Sequence, residues 1–145
     1  MAVRDQLWPV FRRAVSGHTL AYRLTGGVIG HRVPGAPPSL LLDHIGAKSG
    51  TKRTCPLAYL KDGDDYVLVA SKGGHPRNPA WFHNLKANPD TTVQVGSSKL
   101  DVHARVATPQ ERKRIWPKVV KAYGGYAGYQ RRTEREIPLI LLEPR

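Results

Sequence analysis

The chain has few cysteines, few acidic residues and no long apolar run. Cys55 is the only cysteine among 145 residues, which excludes an internal disulfide and a thiolate metal cluster and fits a reducing compartment. No apolar run approaches the roughly 20 residues that a membrane-spanning helix needs. The first residues also lack the pattern of a signal peptide. We therefore expect a cytoplasmic protein that folds as a single domain over residues 1–145.

Protein-borne catalytic groups are also scarce. The six histidines show no metal-ligand spacing, so no metal site is expected. No nucleophile elbow and no pair of carboxylates stands out. Cys55 lies in an apolar segment beside Pro56, where a buried, inert thiol is typical. These absences favour either a binding domain or chemistry that is carried by a cofactor.

Positive charge is abundant. The chain has 23 Lys and Arg against 11 Asp and Glu, a formal net charge of +12. Such a surplus predicts an anionic partner: nucleic acid, an acidic membrane surface or a multiply charged small molecule. Composition leaves these three classes of partner open.

Apolar and alternating segments predict a sheet. Alternation is clearest over residues 100–106, where Leu100, Val102 and Ala104 are separated by polar residues. About six strands are expected, over residues 39–45, 54–60, 66–71, 92–95, 100–106 and 137–142.

Helices are predicted around these strands. Residues 1–20 have the pattern of an amphipathic helix, which packs on the core or, as the minority alternative, lies on a membrane surface. Asn78 is predicted to cap a short helix over residues 79–87. Thr108 and Glu111 fit a capping box that begins another helix. Hairpin-linked strands with helices between them indicate an α+β domain whose sheet closes into a small barrel.

Two glycine-containing cationic segments follow predicted strands. Residues 46–53 offer backbone N–H groups, hydroxyls and three cations, so they fit either an anion site or a solvated basic loop. Ala70-Ser71-Lys72-Gly73-Gly74 leads to the helix that starts at Pro79, and the free N–H groups of a helix start favour an anion. Together, the two segments favour one shared anionic ligand. Trp81 and Asn84 lie on nearly the same face of that helix, although core packing is commoner for a helical Trp.

Three tyrosines form a third notable segment, Tyr123-Gly-Gly-Tyr126-Ala-Gly-Tyr129. The glycines predict a frayed or irregular segment. Two interpretations stay open: a mobile flap over a pocket, or a helix end whose tyrosines cover the core.

In combination these segments resemble the deazaflavin (F420)-dependent nitroreductase family. The resemblance covers residues 22–144 and rests on several blocks in the same order: Gly46-x-Lys48-Ser49-Gly50-x-x-Arg53-x-x-Pro56-Leu57, Ala70-Ser71-Lys72-Gly73-Gly74, Asn78-Pro79-x-Trp81-x-x-Asn84-Leu85-x-Ala87-Asn88-Pro89, Trp116-Pro117, the tyrosine segment and Ile137-Pro138. It implies a split β-barrel of the FMN-binding type and coenzyme F420, an 8-hydroxy-5-deazaflavin with a phosphate and a carboxylate tail.

The resemblance also implies roles for individual residues. Coenzyme-binding residues would be Lys48, Ser49, Gly50, Arg53, Pro56, Val69, Ala70, Ser71, Lys72, Gly73, Pro79, Trp81 and Asn84. Lys48, Ser49 and Arg53 would hold the phosphate and tail, and the segment from Val69 to Ser71 would line the ring. Ser71, Tyr123, Tyr126 and Tyr129 would be the catalytic residues, which bind the acceptor or orient a proton.

The expected activity is hydride transfer from reduced F420 to a small electrophilic acceptor such as a quinone, an enone or an activated nitro compound. Some members of the family carry tyrosine where this chain has Ala58, which puts the reduction of nitro drugs in doubt. The alternatives are an FMN-dependent oxidoreductase on the same barrel and a non-catalytic deazaflavin binder. The ordered glycine-containing cationic segments argue against a third class, a nucleic-acid-binding barrel, so a small-molecule hydride acceptor and no nucleic-acid partner are expected. The partner expectations also include a homodimer and, from the amphipathic pattern of residues 1–20, a peripheral membrane contact.

Overall fold

The computed structural model describes residues 38–145, which form six strands and three helices. The strands are β1 (Ser39–Ile45), β2 (Lys52–Asp62), β3 (Asp65–Val69), β4 (Asp90–Val95), β5 (Ser98–Val106) and β6 (Leu139–Pro144). The helices are α1 (Ala80–Ala87), α2 (Pro109–Ala122) and α3 (Gly125–Arg131), and a 3-10 turn covers Lys72–Gly74. The helix predicted for residues 1–20 lies outside the described residues. No helix within residues 38–145 is long and apolar enough to cross a bilayer.

The six strands close into one barrel in the order β1-β2-β3-β6-β5-β4, with every neighbouring pair antiparallel. β1 pairs with the first half of β2, from Ser39 opposite Ala58 to Ile45 opposite Lys52. β3 pairs only with the second half of β2, beginning at Tyr59. The first half of β2 therefore lacks a strand partner on its β3 side within residues 38–145, and the barrel is split there. The predicted α+β split barrel with about six strands is confirmed.

Side chains alternate between the two faces of each strand, so the sheet has an apolar core on each face. Leu40 and Leu42 of β1 and Leu68 of β3 are fully buried inside the barrel, which is the barrel core. Val67 and Leu141 face the opposite side of the sheet. There they pack with the apolar residues of α2 and α3, Ile115, Val119 and Tyr126, in what we call the outer core. The outer core fixes α2 and α3 on one wall of the barrel.

Strand direction places the chemically interesting loops at one end of the barrel. β1 ends and β2 begins at the loop over residues 46–51, and β3, antiparallel to β2, ends on the same side. The segment 70–75 that follows β3 therefore lies at this end. The start of β6 lies there as well, because Leu139 pairs with Val69.

Several predicted boundaries were wrong: β2, β4 and β5 begin two residues earlier than predicted, and β6 begins two residues later. α1 begins at Ala80 with Pro79, not Asn78, as its N-cap: Pro79 has an extended ψ of 155°, and no side chain caps the helix. β3 ends at Val69 and not at Ser71, because Ser71 has the helical φ and ψ of −78° and −39° that begin the 3-10 turn. The capping box is confirmed, since Glu111 N donates to Thr108 Oγ1 at 3.2 Å and Thr108 N donates to Glu111 Oε1 at 2.9 Å.

The prediction of a frayed or irregular tyrosine segment was also wrong. Residues 125–131 form α3, and Tyr126 is only 8% exposed. Gly128 lies inside this helix and costs about 1 kcal/mol relative to alanine, whereas Gly124 is its N-cap, a position where glycine is tolerated. Burial of an aromatic side chain contributes more than one such penalty, and all three tyrosines belong to the outer core. Of the two interpretations of this segment, the structure has the tyrosines covering a core.

Candidate active site

The first cationic turn, residues 46–53, joins β1 to β2. Two backbone hydrogen bonds close it, from Gly46 N to Thr51 O and from Gly50 N to Gly46 O, both 2.9 Å. Gly50 has a φ of +70°, a conformation that glycine adopts without strain. The turn thus presents backbone N–H groups and side chains on a fixed loop at the end of the barrel.

The cations of this turn differ in their partners. Lys52 Nζ lies 3.5 Å from Asp43 Oδ2. Lys48 and Arg53 are exposed, and neither has a carboxylate partner within residues 38–145. Two cations without counter-charges on the protein, beside the hydroxyl of Ser49, are suited to a phosphate or carboxylate ligand.

A buried amide fastens the first cationic turn to α1. Asn84 of α1 accepts a hydrogen bond from Ala47 N through its Oδ1 at 2.9 Å. Its Nδ2 lies 2.9 Å from Nδ1 of His44, the next-to-last residue of β1. Asn84 is 8% exposed and His44 is 6% exposed. The resemblance implies that Asn84 is a coenzyme ligand, but in the structure both the oxygen and the nitrogen of its side-chain amide contact the protein.

The second cationic turn, residues 71–75, contains the 3-10 turn. Gly74 N donates to Ser71 O at 2.9 Å and His75 N donates to Lys72 O at 3.1 Å. Lys72 has a φ of +46°, the only positive φ of a non-glycine residue within residues 38–145. A long side chain in this region carries backbone strain of about 1–2 kcal/mol. The surrounding structure must therefore hold the turn in place.

Arg135 provides part of that hold. Its Nε donates to His75 O at 2.9 Å and its Nη2 donates to Ser71 O at 2.8 Å, so one guanidinium binds the second cationic turn on both sides of Lys72. Burial lowers the pKa of Arg135 from its ordinary value. Gln130 of α3 in turn holds the backbone of Arg135, because Gln130 Nε2 donates to Arg135 O at 2.8 Å.

The second cationic turn also packs directly on α3. A Cβ built at Gly74 would lie 2.7 Å from Tyr129 O and 2.9 Å from Arg132 Cβ, and the φ of Gly74 is +79°. Only glycine fits this approach without displacement of the backbone. The tyrosine helix and the second cationic turn are therefore neighbours, as a shared pocket requires.

The three tyrosines form one aromatic cluster. The ring of Tyr126 meets those of Tyr123 and Tyr129 edge-on, with centroids 5.4 and 6.0 Å apart. Burial, and then the neighbouring phenols, raise the pKa of Tyr126 to about 12. Burial, and then a hydrogen bond with Tyr123, raise the pKa of Tyr129. Protonated phenols at neutral pH are hydrogen-bond donors, not bases.

Between the two turns lie the residues that the resemblance assigns to the ring. Val69 ends β3, Ala70 is fully buried, and Pro56 lies on the half of β2 that has no β3 partner. The hydroxyl of Ser71 makes no hydrogen bond to any residue in the described part of the chain. Ser71 as a whole is only 8% exposed.

The remaining predicted site residues have mixed surroundings. Gly73 lies in the 3-10 turn beside Lys72, and Pro79 is the N-cap of α1. Trp81 is 8% exposed and packs in the barrel core, the alternative that the sequence already favoured for a helical tryptophan. The buried side chain of Trp81 thus anchors α1 to the barrel core.

Two residues of this site were missed by sequence reasoning, His44 and Arg135. His44 carried a signal, since it shares its strand face with Leu40 and Leu42 and so had to be buried. Arg135 carried none, because its partners lie 60 and 64 residues away in the sequence. A shallow surface groove on α2, lined by Pro109, Arg112, Lys113, Trp116, Pro117 and Glu136, contains none of the predicted site residues.

Comparison with known proteins settles the family. A family model described as F420H(2)-dependent quinone reductase matches residues 14–144. The chain belongs to this family. An F420H(2)-dependent quinone reductase from Mycobacterium tuberculosis H37Rv is 50% identical over 131 residues, which is 88% of each chain. The predicted relationship to deazaflavin-dependent reductases is confirmed, and the chain is an oxidoreductase of the F420-dependent class.

Solved structures agree with the F420H(2)-dependent quinone reductase family. One described as an F420-H2 dependent reductase is 45% identical, covers 73% of this chain and 94% of its own, and has a TM-score of 0.67. Another, described as a domain-swapped dimer, is 39% identical, covers 97% of this chain and 96% of its own, and has a TM-score of 0.68.

The chemistry of the site suits coenzyme F420. The coenzyme offers a phosphate and carboxylates, and the first cationic turn offers Lys48 and Arg53, which lack acidic partners in residues 38–145. The ring is flat and largely apolar, and the split in the barrel has apolar strand residues on both sides. Ser71 adds a hydroxyl at the start of the second cationic turn. The same end of the barrel thus carries both charged donors and apolar residues, the two kinds of group that the coenzyme requires.

Proposed function

We propose that this enzyme binds reduced F420 across the end of the barrel, with the acidic tail on the first cationic turn and the ring beside the second, and reduces a quinone. The observation that supports this most is the arrangement of the two turns. They lie at the same end of the barrel, and α1 links them, since it begins after the second turn and binds the first through Asn84.

In this proposal Lys48 and Arg53 bind the phosphate and the carboxylate tail. Ser49 and Gly50 add a hydroxyl and a backbone N–H. Lys72 and Gly73 bind the coenzyme from the second cationic turn. Charge-assisted hydrogen bonds of this kind are about twice as strong as neutral ones, so we expect this end of the coenzyme to dominate affinity.

The ring lies against Pro56 and the segment from Val69 to Ser71. Pro79, Trp81 and Asn84 contribute indirectly, because Pro79 and Trp81 place α1 and Asn84 holds the first cationic turn. Rigid strand residues at the ring limit its movement, and hydride transfer needs the reacting carbons within roughly 3–3.5 Å of each other.

Reduced F420 supplies a hydride when it is bound. The protein must stabilise the negative charge that develops on the quinone oxygen, and hydroxyl donors aimed at that oxygen do so. We assign this role to Ser71, which lies in the second cationic turn, and to the phenols of Tyr123, Tyr126 and Tyr129, because α3 packs on that turn at Gly74. The raised pKa of Tyr126, about 12, keeps its proton in place throughout the neutral range.

A two-stage measurement tests this function. Fluorescence titration with F420 and separately with FMN should show binding of F420 alone, with hydrogen exchange slowed by F420 in residues 46–53 and 71–75. Reduced F420 should then be oxidised when a quinone is added. Preference for FMN supports the flavin alternative, and tight binding of F420 without oxidation by any quinone, enone or nitro acceptor supports a carrier. Either result contradicts the proposal.

Assembly and location form part of the same proposal. The dimeric relative leads us to propose a homodimer, which light scattering at several concentrations should show as a mass of about twice the 16.1 kDa chain. We also propose a cytoplasmic, single-domain protein over residues 1–145, because the lone Cys55 suits a reducing compartment. Cell fractionation with and without residues 1–20 tests both the location and the membrane contact.

A further inference from the structure

A buried polar pair lies beneath the first cationic turn, where apolar residues would be expected. His44 lies on the strand face of Leu40 and Leu42, both fully buried, and it contacts Asn84 of α1. A buried imidazole and a buried amide are unfavourable unless their polar atoms are paired. Here the pairing extends outward to Ala47, a residue of the turn itself.

The direction of each hydrogen bond follows from its neighbour. Ala47 N can only donate, so Asn84 Oδ1 accepts. Asn84 Nδ2 then faces His44 Nδ1 at 2.9 Å and can only donate to it. Nδ1 must therefore be an unprotonated acceptor, which assigns the neutral imidazole with its proton on Nε2.

The electrostatic surroundings favour the same form. Burial lowers the pKa of His44, and the positive charge of Arg53 lowers it further, while Asp43 acts in the opposite direction. Arg53 lies opposite His44 on β2, Asp43 precedes it on β1, and α1 presents the uncharged Asn84. Within the described part of the chain, these are the charged and polar groups that face the imidazole.

We propose that His44 is a positioning residue for coenzyme binding, which acts through Asn84 to hold the first cationic turn in its binding conformation. The inference rests on the proposed function of that turn. A protonated Nδ1 would point a second donor at Asn84 Nδ2. The amide would then have to rotate, which breaks the bond to Ala47. Coenzyme affinity should therefore fall when His44 takes up a proton.

The first test uses the protein without coenzyme. Side-chain ¹⁵N NMR of the wild type should show His44 as the Nε2–H tautomer at pH 7.5. Hydrogen exchange at Ala47 N should accelerate about tenfold in His44→Leu, which lacks the acceptor, and return to within about threefold of wild type in His44→Gln, whose amide oxygen can accept. An Nδ1–H tautomer, or equal Ala47 exchange in wild type and His44→Leu, overturns the inference.

The second test uses F420. At pH 7.5, His44→Leu should raise the Kd for F420 about tenfold and change kcat at saturating coenzyme less than twofold, and His44→Gln should recover most of the affinity. His83→Gln is the matched control, because His83 is an exposed histidine beside Asn84 on α1. It should change neither Ala47 exchange nor Kd.

A pH series separates positioning from a simple charge effect. The ratio of the wild-type Kd to the His44→Gln Kd cancels the titration of the coenzyme itself. Because burial and Arg53 lower the pKa of His44, this ratio should stay constant from pH 8 to 6.5, the ordinary histidine pKa, and rise only in more acidic solution. A ratio that already rises above pH 6.5, or that falls with acid because a cationic histidine attracts the coenzyme, contradicts the inference.

The outcomes also separate this inference from the proposed function. Failure of the wild type to bind F420 at any pH ends the proposed function, and the tautomer and the Ala47 exchange still report on the His44–Asn84 link. Normal F420 binding with unchanged Ala47 exchange in His44→Leu ends only the inference about His44. Should His44→Leu fail to fold, the wild-type NMR and the His44→Gln series still decide the matter.

Discussion

The two cationic turns are held to the barrel by different chemistry. The first is fastened to α1 by neutral groups, through the bond from Ala47 to Asn84, and the largely exposed ion pair of Lys52 with Asp43 adds little to this. Its other cations, Lys48 and Arg53, are exposed. The second is fastened by a charged group, since Arg135 binds it on both sides of Lys72. The first turn therefore offers exposed cationic side chains on a hydrogen-bonded loop, which suits a flexible acidic tail. The second is fixed and strained, which suits a part of the site that must place a ring accurately.

Removal of the guanidinium of Arg135 tests whether this group holds the second cationic turn in place, and it should have the largest effect. Arg135→Met eliminates two hydrogen bonds from a charged donor, which we expect to lower the free energy of unfolding by about 3 kcal/mol. Because Lys72 and Ser71 then lose their fixed position, kcat/KM for the quinone should fall about 100-fold, mostly in kcat. Urea unfolding and steady-state kinetics measure the two effects.

Arg131→Met is the matched control for Arg135. Arg131 is an exposed arginine at the end of α3, and its loss should change both quantities little. If Arg135→Met raises only the KM for F420 and leaves kcat intact, the second cationic turn is a binding element like the first, and the contrast between them is lost.

A pair of glycine variants measures how tightly each cationic turn is packed. Gly50 and Gly74 have positive φ values of 70° and 79°, but a Cβ at Gly50 meets nothing within 4 Å, whereas one at Gly74 lies 2.7 Å from Tyr129 O. Gly50→Ala should therefore cost about 1 kcal/mol, the penalty of the left-handed conformation. Gly74→Ala adds overpacking and should cost about 3 kcal/mol in total. Equal losses in thermal or urea unfolding would mean that the second turn yields as readily as the first.

Charge removal from the first cationic turn should act on affinity alone. Lys48→Gln and Arg53→Gln should each raise the Kd for F420 about tenfold at low salt, less at high salt, with kcat nearly unchanged at saturating coenzyme. Lys99→Gln is the control, because Lys99 is an exposed cation at the β4–β5 turn, at the opposite end of the barrel. A comparable loss of affinity in Lys99→Gln would reduce the effect to net charge.

The sequence predicts the two cationic turns and the strands that carry them, but it does not predict the contacts that hold the turns in place. Glycines and cations marked both turns, and alternation of apolar residues marked the strands that carry them. The attachments were not predictable, because Arg135 reaches its partners only through the tertiary fold. The low helix propensity of Gly124, Gly125 and Gly128 predicted an irregular segment. The segment is helical because its tyrosines pack on the outer core.

Tyrosine variants test whether a phenol beside the second cationic turn acts as a hydrogen-bond donor to the quinone, and their effects should be smaller than those above. Tyr126→Phe keeps the buried ring and removes only the hydroxyl, so the free energy of unfolding should change by less than about 1 kcal/mol. If that hydroxyl stabilises the quinone oxygen, kcat should fall about fivefold while the Kd for F420 stays constant. Tyr123→Phe and Tyr129→Phe serve as parallel variants that each remove one of the other two hydroxyls of the cluster.

The pH dependence completes the test of Tyr126. Its pKa of about 12 means that the phenol keeps its proton as the pH rises past 10, the ordinary value for tyrosine. The ratio of wild-type kcat to Tyr126→Phe kcat should therefore stay constant from pH 7 to 10. A decline of that ratio with a midpoint below pH 10 would show an ionising donor in a polar site, and the hydroxyl would then belong to an open pocket and not to a ring anchored in the outer core.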